Sequence, residues 1–374
     1  MKRIITWCLL FAVLVIPFRA EALGTSAKAA ILINAATGEV IFEQNADERL
    51  PMASTTKIMT ALLLCEYGNF EKEITVTAEM LRVEGSSMGL LAGDKVTLHD
   101  LLYGLMLASG NDAANVVAFT LGGTVNGFVK QMNDKAKALG MGNTNFVTPS
   151  GLDAEEHYTT ARDLAKLTRF ALENDEFSKA AACETAVLNY GNPPYRRSLT
   201  NHNKLLKTYE NAIGVKTGFT KKSGRCLVSA AESVGKKVIA VTLNDPDDWQ
   251  DHKAMLEYGL NSLKTAVIEP PCSEYVLPVI GGNKESVTLE IKLYEFGVVD
   301  DGDLSCTVNL PKFVYAPLEK GEQVGSVIYK KGDEIIAESP IAVPEGLESG
   351  QDKPKFTEKI VYNIKNIVFD IWEK

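Results

Sequence analysis

Residues 29–44 read AAILINAATGEVIFEQ, and residues 212–243 read AIGVKTGFTKKSGRCLVSAAESVGKKVIAVTL. The first stretch is two apolar runs around a Thr-Gly turn, the pattern of a β-hairpin. The second holds three further strand-like runs, at 212–217, 226–231 and 237–243. Between these ends the pattern is helical. From Ser54 onward Ile58, Leu62 and Cys65 recur on one face, and 97–121, 124–140 and 160–173 also read as helices. Thr97 followed by Asp100 resembles a capping box with a shorter acid than usual, and Thr160 with Asp163 repeats it. A closing helix is expected over 249–263. Strands at both ends with helices between them point to one sheet assembled from distant parts of the chain.

Glu269-Pro270-Pro271 reads as a linker, because two prolines block both helix and central strand. Beyond it the apolar period becomes two. Val287, Leu289, Ile291 and Leu293 alternate with polar residues, as do Cys306, Val308 and Leu310, which suggests a small β-sandwich over 269–350. At the start of the chain, Lys2 and Arg3 precede an apolar run from Ile4 to Phe18 and then Ala20-Glu21-Ala22. That is the order of a secretory signal peptide cleaved after Ala22, and the run falls short of the roughly 20 residues that span a bilayer. At the other end, Phe356, Ile360, Val361, Ile364, Ile367, Val368, Ile371 and Trp372 fall on one helical face about 160° wide. An amphipathic helix over 351–374, with 356–372 lying in a membrane interface, is the expectation; packing on its own domain is the alternative.

A length of 374 residues leaves room for two or three domains and an ample core. The net charge of -9 argues against a chain-wide nucleic-acid surface, which needs a basic patch. Six cysteines lie far apart at 8, 65, 183, 226, 272 and 306, with no C-x-x-C spacing. Free, partly buried thiols are expected rather than a zinc site or a disulfide framework. The histidines at 99, 157, 202 and 252 lack the spacing of a zinc peptidase, so no metal is expected. His202, just upstream of 216, reads either as a cleft residue or as a surface histidine.

Three short motifs carry chemistry. In Ser54-Thr55-Thr56-Lys57 the spacing of three puts both side chains on one face of a turn. A serine hydroxyl is a poor nucleophile until a base takes its proton, and a lysine can be that base if burial and neighbouring charge lower its pKa. Unpaired N–H groups at a helix start can stabilise an oxyanion. By itself the motif reads as a capping serine and a surface lysine. In Ser109-Gly110-Asn111 the hydroxyl can relay a proton and the amide can hold a substrate carbonyl or the lysine head; a helix C-cap and turn is the plainer reading. In Lys216-Thr217-Gly218 an ammonium and a hydroxyl on a strand edge can bind a carboxylate, and the glycine permits close approach of a substrate backbone. The plainer reading is a charged edge residue that discourages aggregation.

Taken in order, Ser-x-x-Lys, Ser-x-Asn and Lys-Thr-Gly form the signature of penicillin-recognising serine enzymes. The chain resembles the D-alanyl-D-alanine carboxypeptidases, the low-molecular-mass penicillin-binding proteins, over roughly residues 25–265. The likeness is carried by Pro51–Thr60, Glu84–Met88, Leu107–Ala114, the middle segment from Met132 to Ala161 and Gly214–Thr220. Thr148 departs from the pattern, which has asparagine before Pro149. The resemblance implies an α/β fold of the α+β type, a β-lactamase/transpeptidase-like domain over 23–268 with an antiparallel sheet covered by helices. The β-rich domain and amphipathic tail also match the family's layout.

The resemblance further implies acyl transfer without a cofactor. Ser54 would attack the carbonyl between the two D-alanines of a peptidoglycan stem peptide while Lys57 accepts its proton. Ser109 would pass a proton to the departing amine, and Asn111 would orient its neighbours. Lys216 and Thr217 would receive the terminal carboxylate, Gly218 would admit the substrate backbone, and the N–H groups of Ser54 and Phe219 would hold the oxyanion. β-Lactams would enter as strained mimics, and the protein would be exported and either held at the outer face of the cytoplasmic membrane or secreted. A β-lactamase needs a Glu-x-x-Leu-Asn segment, and the nearest string, Glu184 to Asn189, has one residue too many. A transpeptidase or endopeptidase of the same superfamily differs only in its acceptor. A silent wall-binding protein is disfavoured by three intact motifs.

Overall fold

The computed structural model describes residues 23–291, 294–299 and 302–350. The expected signal peptide and tail helix lie outside the described residues. Strands β1 (Ala29–Asn34) and β2 (Val40–Gln44) form the expected hairpin. A 3-10 turn at Ala53–Thr56 leads into helix α1 (Lys57–Tyr67), and a short pair, β3 (Glu73–Thr75) and β4 (Lys95–Thr97), follows. Next come helices α2 (Leu98–Met106), α3 (Asn111–Gly122), α4 (Val125–Ala138), α5 (Ala161–Ala171) and α6 (Asp175–Ala182). A hairpin of β5 (Thr185–Gly191) and β6 (Pro194–Thr200) and the single turn α7 (Leu205–Thr208) precede β7 (Ala212–Thr220), β8 (Gly224–Ser233) and β9 (Lys236–Leu243). Helix α8 (Asp248–Ser262) closes this part.

The five main strands pair antiparallel in the order β2-β1-β9-β8-β7, so the first hairpin docks onto a strand some 200 residues later, from Ala29↔Leu243 to Asn34↔Val238. Alternation along the strands sorts the side chains to two layers. Ala30, Leu32, Val238 and Ala240 pack with Met255 and Leu256 of α8. Ile31, Ile33, Ile239 and Val241 face the larger helical layer. Each large aliphatic side chain buried this way is worth about 1.5–3 kcal/mol. With both faces covered and β2 on the far edge, β7 is the edge strand next to the 3-10 turn.

Local signals hold where they are complete. Thr97 and Asp100 make the full reciprocal capping box, and the Thr160 side chain accepts from Asp163 N. The stretch 97–121, expected as one helix, is two, because α2 ends at Met106 and α3 starts at Asn111. The break places Ser109 at φ 55, a left-handed backbone that costs an L residue about 1–3 kcal/mol. Bonds made there offset it: Gly110 N donates to Gly104 O and Asn111 N donates to Ser86 O.

From Lys264 the regular elements among the described residues are all strands: β10 (Lys264–Ile268), β11 (Glu274–Ile280), β12 (Ser286–Glu290), β13 (Tyr294–Val298), β14 (Leu304–Asn309), β15 (Val314–Tyr315), β16 (Gln323–Lys331) and β17 (Glu334–Ala342). They pair as β12-β11-β15, β14-β16-β17 and β10-β13 around a core that includes Leu277, Leu289, Phe296, Val327 and Tyr329. This is the small all-β unit that the period of two predicts. It meets the first part through Asn34 Nδ2 donating to Gly297 O (2.9 Å), Gly297 N donating to Gly235 O (3.1 Å) and the Lys331–Glu39 ion pair (2.6 Å).

Candidate active site

Ser54 sits in the 3-10 turn that opens α1, after Ala53 at φ 47. The turn is fastened from several sides. Thr55 Oγ1 donates to Met52 O (2.6 Å) and Thr56 Oγ1 to Ala53 O (2.8 Å). Gly151 backs onto it so closely that a Cβ there would lie 1.9 Å from Ala53 O. His157 supports it from behind. Its Nδ1 accepts from Val147 N (2.9 Å), so Nε2 carries the proton and donates to Thr56 Oγ1 (2.9 Å). Burial pushes the His157 pKa down to about 4, which keeps that neutral tautomer at ordinary pH.

Lys57 is fully buried. Its Nζ lies 2.9 Å from Ser54 Oγ, 2.7 Å from Asn111 Oδ1 and 2.6 Å from Ser150 O. Burial, then the positive charge of Lys216, hold its pKa well below the ordinary lysine value, against a pull upward from Asp112. The partner set decides what a neutral Lys57 does. Asn111 Oδ1 and Ser150 O can only accept, so they take the two N–H bonds of the amine. Its lone pair is then left facing the Ser54 hydroxyl, which is the arrangement a general base requires. Thr148, the departure from the family's pattern, caps this region: its Oγ1 accepts from Gly151 N (3.1 Å), closing the turn that presents Ser150 O.

On the opposite wall, Lys216 of β7 is 1% exposed and donates to Ser109 Oγ (3.0 Å) and Thr217 O (3.1 Å). Burial lowers its pKa to about 7. Gly218 brings β7 against the nucleophile turn, where a Cβ would stand 3.0 Å from Ser54 N and 3.1 Å from Met52 O. A cleft of about 300 Å³ runs between these walls, lined by Ser54, Ser109, Thr217, Gly218 and Phe219 of the expected set. Lys57 and Asn111 stand behind its surface, bonded to one another. All eight residues singled out from the sequence therefore meet at one place.

Other residues at the site lie outside the three catalytic motifs. Ser86 lines the cleft, as do His202, Arg225, Asp248 and Trp249. His202 is thus a cleft residue, with its pKa lowered by burial and then by Lys216. Arg225 Nη2 donates to Asp248 Oδ1 (2.6 Å), and its guanidinium lies 5.5 Å from the Trp249 ring. The Asp-Trp dipeptide after the last strand was a visible signal, but nothing local says that it faces the serine.

A family model described as D-alanyl-D-alanine carboxypeptidase matches residues 17–247. The chain belongs to that family. A second family model, the penicillin-binding protein 5 C-terminal domain, matches residues 275–349. The carboxypeptidase is 31% identical over 343 residues to D-alanyl-D-alanine carboxypeptidase DacF of Bacillus subtilis (strain 168), with 88% of each chain covered. The crystal structure of the carboxypeptidase DacD from Francisella tularensis superposes with a TM-score of 0.62 at 26% identity, covering 87% of this chain and 95% of that one. The Streptomyces K15 DD-transpeptidase superposes with a TM-score of 0.61 at 33% identity, covering 64% of this chain and 98% of that one. The enzyme is a serine D-alanyl-D-alanine carboxypeptidase with the fold of the penicillin-binding proteins. Among the described residues no helix is long and apolar enough to cross a membrane.

Proposed function

We propose that Ser54, Lys57 and Ser109 carry the acyl transfer and that the β7 edge holds the substrate. Ser54 Oγ attacks the carbonyl carbon of the D-Ala–D-Ala bond as its proton passes to Lys57 Nζ. The N–H groups of Ser54 and Phe219 receive the oxyanion. When the C–N bond breaks, Ser109, bonded to Lys216, gives its proton to the departing amine and is reprotonated with the one Lys57 took, which frees Lys57 to accept a proton from the hydrolytic water. Lys216 and Thr217 bind the terminal carboxylate, Gly218 admits the peptide backbone, and Asn111 holds Lys57. Water then hydrolyses the ester, and β-lactams acylate the same serine. The observation that carries this reading is the buried Lys57, 2.9 Å from Ser54 Oγ and otherwise bonded only to acceptors. Peptide mapping after reaction with a labelled penicillin tests it. The label is expected on Ser54, and a label on any other residue contradicts it.

The division of labour in the chain is part of the same proposal. Residues 1–22 act as signal peptide and 23–268 as the peptidase unit. Residues 269–350 form the β-rich unit, with β10 crossing over to pair within it. The apolar face of 356–372 rests on the membrane surface. The gathering of its apolar residues on one helical face supports that reading, and loss of vesicle binding on truncation at residue 350 is the expected result.

A further inference from the structure

One buried carboxylate next to the site has no part in the mechanism above. Asp112, the second residue of α3, is 5% exposed. Its Oδ2 accepts from the Ser87 hydroxyl (2.6 Å) and from the N–H groups of Gly89 and Leu90 (3.1 Å each). Its Oδ1 accepts from Met88 N and Ala113 N (2.9 Å each). The same turn is closed on its other side, where Tyr190 Oη donates to Met88 O (2.6 Å) and Arg197 to Gly89 O. Gly110 leaves room for the carboxylate: a Cβ there would meet Asp112 Oδ1 at 2.6 Å and Met88 N at 3.1 Å.

The residues just before this turn hold Asn111. Asn111 N donates to Ser86 O (2.7 Å) and Asn111 Nδ2 to Glu84 O (2.6 Å). The second bond decides which way the amide faces. With its nitrogen on Glu84 O, its oxygen faces Lys57 Nζ at 2.7 Å. Turned over, the amide would set donor against donor, and the Lys57 lone pair would lose its direction toward Ser54.

We propose that Asp112 is a positioning residue for acyl transfer: by accepting the hydrogen bonds of the turn at Ser87–Leu90, it holds the carbonyls of Glu84 and Ser86 on Asn111 and so fixes the amide that faces Lys57. The proposal rests on the roles given above to Ser54, Lys57 and Asn111. A carboxylate suits the task because every partner is a donor. An amide in its place would offer its own N–H groups to donors, leaving buried N–H groups unpaired, at about 1–3 kcal/mol each. The charge matters as well, since Asp112 favours the protonated form of Lys57, though less than burial and Lys216 oppose it.

The test compares Asp112→Asn with the unaltered protein, and with Ser54→Ala as control, by the rate of acylation with a fluorescent penicillin from pH 5 to 10. A folded Asp112→Asn is expected to acylate about 10- to 100-fold more slowly. Its acid limb is expected to move to lower pH, because a charge that favours the ammonium is gone. A general loss of folded protein would lower the plateau without moving the limb. A folded variant with the parental rate and limb overturns the proposal. If Asp112→Asn does not fold, hydrogen exchange on the unaltered protein decides. The amides of Met88, Gly89 and Leu90 should then exchange as slowly as those of α3, and free-loop rates there overturn the proposal. Acylation that survives in Ser54→Ala overturns the reading of the site itself rather than the assignment of Asp112.

Discussion

Gly218→Ala probes the seam between β7 and the nucleophile turn. The added methyl carbon would stand 3.0 Å from Ser54 N, 3.1 Å from Ala53 Cβ and 3.1 Å from Met52 O. An ordinary contact needs some 3.4 Å or more, so the two sides must part by roughly 0.3–0.4 Å. The nucleophile turn cannot retreat easily, since Thr55, Thr56 and Gly151 hold it from behind. The edge strand β7 gives way instead. The two proposed oxyanion donors, Ser54 N and Phe219 N, lie on opposite sides of this seam, so widening it lengthens both bonds to the developing charge. Complete loss of one such donor costs about 10²–10³ in rate, and partial loss of two is expected to cost about 10²-fold in acylation. Stability should fall by only about 1–2 kcal/mol, because an edge strand can shift. Stopped-flow acylation by a labelled penicillin, with a urea midpoint as control, measures both. A folded Gly218→Ala that acylates within twofold of the parent refutes the reasoning.

Three further outcomes are expected. Lys216→Ala should lower kcat/KM for a D-Ala-D-Ala peptide about 10- to 100-fold by removing a charged partner of the carboxylate. Its acid limb should move to higher pH, because the charge of Lys216 helps depress Lys57; an unmoved limb contradicts this. Denaturant midpoints should fall on acidification below pH 6.5. Burial holds His252 down to about 3, between Ser229 and Thr242, and His157 down to about 4, so each contributes stability in full above the unfolded histidine value near 6.5. That contribution is lost as pH falls toward 4 and 3. Asp245, raised to about 6 chiefly by burial, offsets one proton between pH 6 and 4. A net slope of roughly 1.4 kcal/mol per pH unit near pH 5 follows, and a flat profile there contradicts it. Finally, a maleimide at pH 8 should label exposed Cys272 first and leave Cys65 and Cys226 unlabelled until unfolding, since burial raises them to about 12 and about 11; native labelling of Cys226 would count against the packing described.

What the sequence made legible was whatever a few neighbouring residues decide. The 29–44 hairpin, the capping box at Thr97 and the cap at Thr160 rest on local patterns, and the structure has all three. The three motifs were each weak alone and became decisive in their order. The break at 107–110 was legible only as the plainer reading of Ser109-Gly110-Asn111, a C-cap and turn, while the reason for its conformation is tertiary. Ser109 is held at φ 55 where Lys216, over a hundred residues away, reaches its hydroxyl. The β5–β6 hairpin escaped notice because several outward positions are apolar or aromatic, as with exposed Val187 and Tyr195, which blurs the alternation. Of the parts of the site whose roles went unread, Ser150 O on Lys57 and Asp112 under the 87–90 turn act through backbone groups, and His157 reaches the Thr56 hydroxyl from about a hundred residues away. A backbone carbonyl or N–H leaves no mark in the sequence, so only the folded chain reveals its partner.

The central claim is that Ser54, activated by Lys57, removes the terminal D-alanine. Incubation of the purified enzyme with a peptide ending in Lys-D-Ala-D-Ala, with free D-alanine quantified, tests it most directly against Ser54→Ala. The account predicts release by the parent and none above background by the variant. Release that persists in Ser54→Ala, or its absence in a parent still acylated by penicillin, would contradict it.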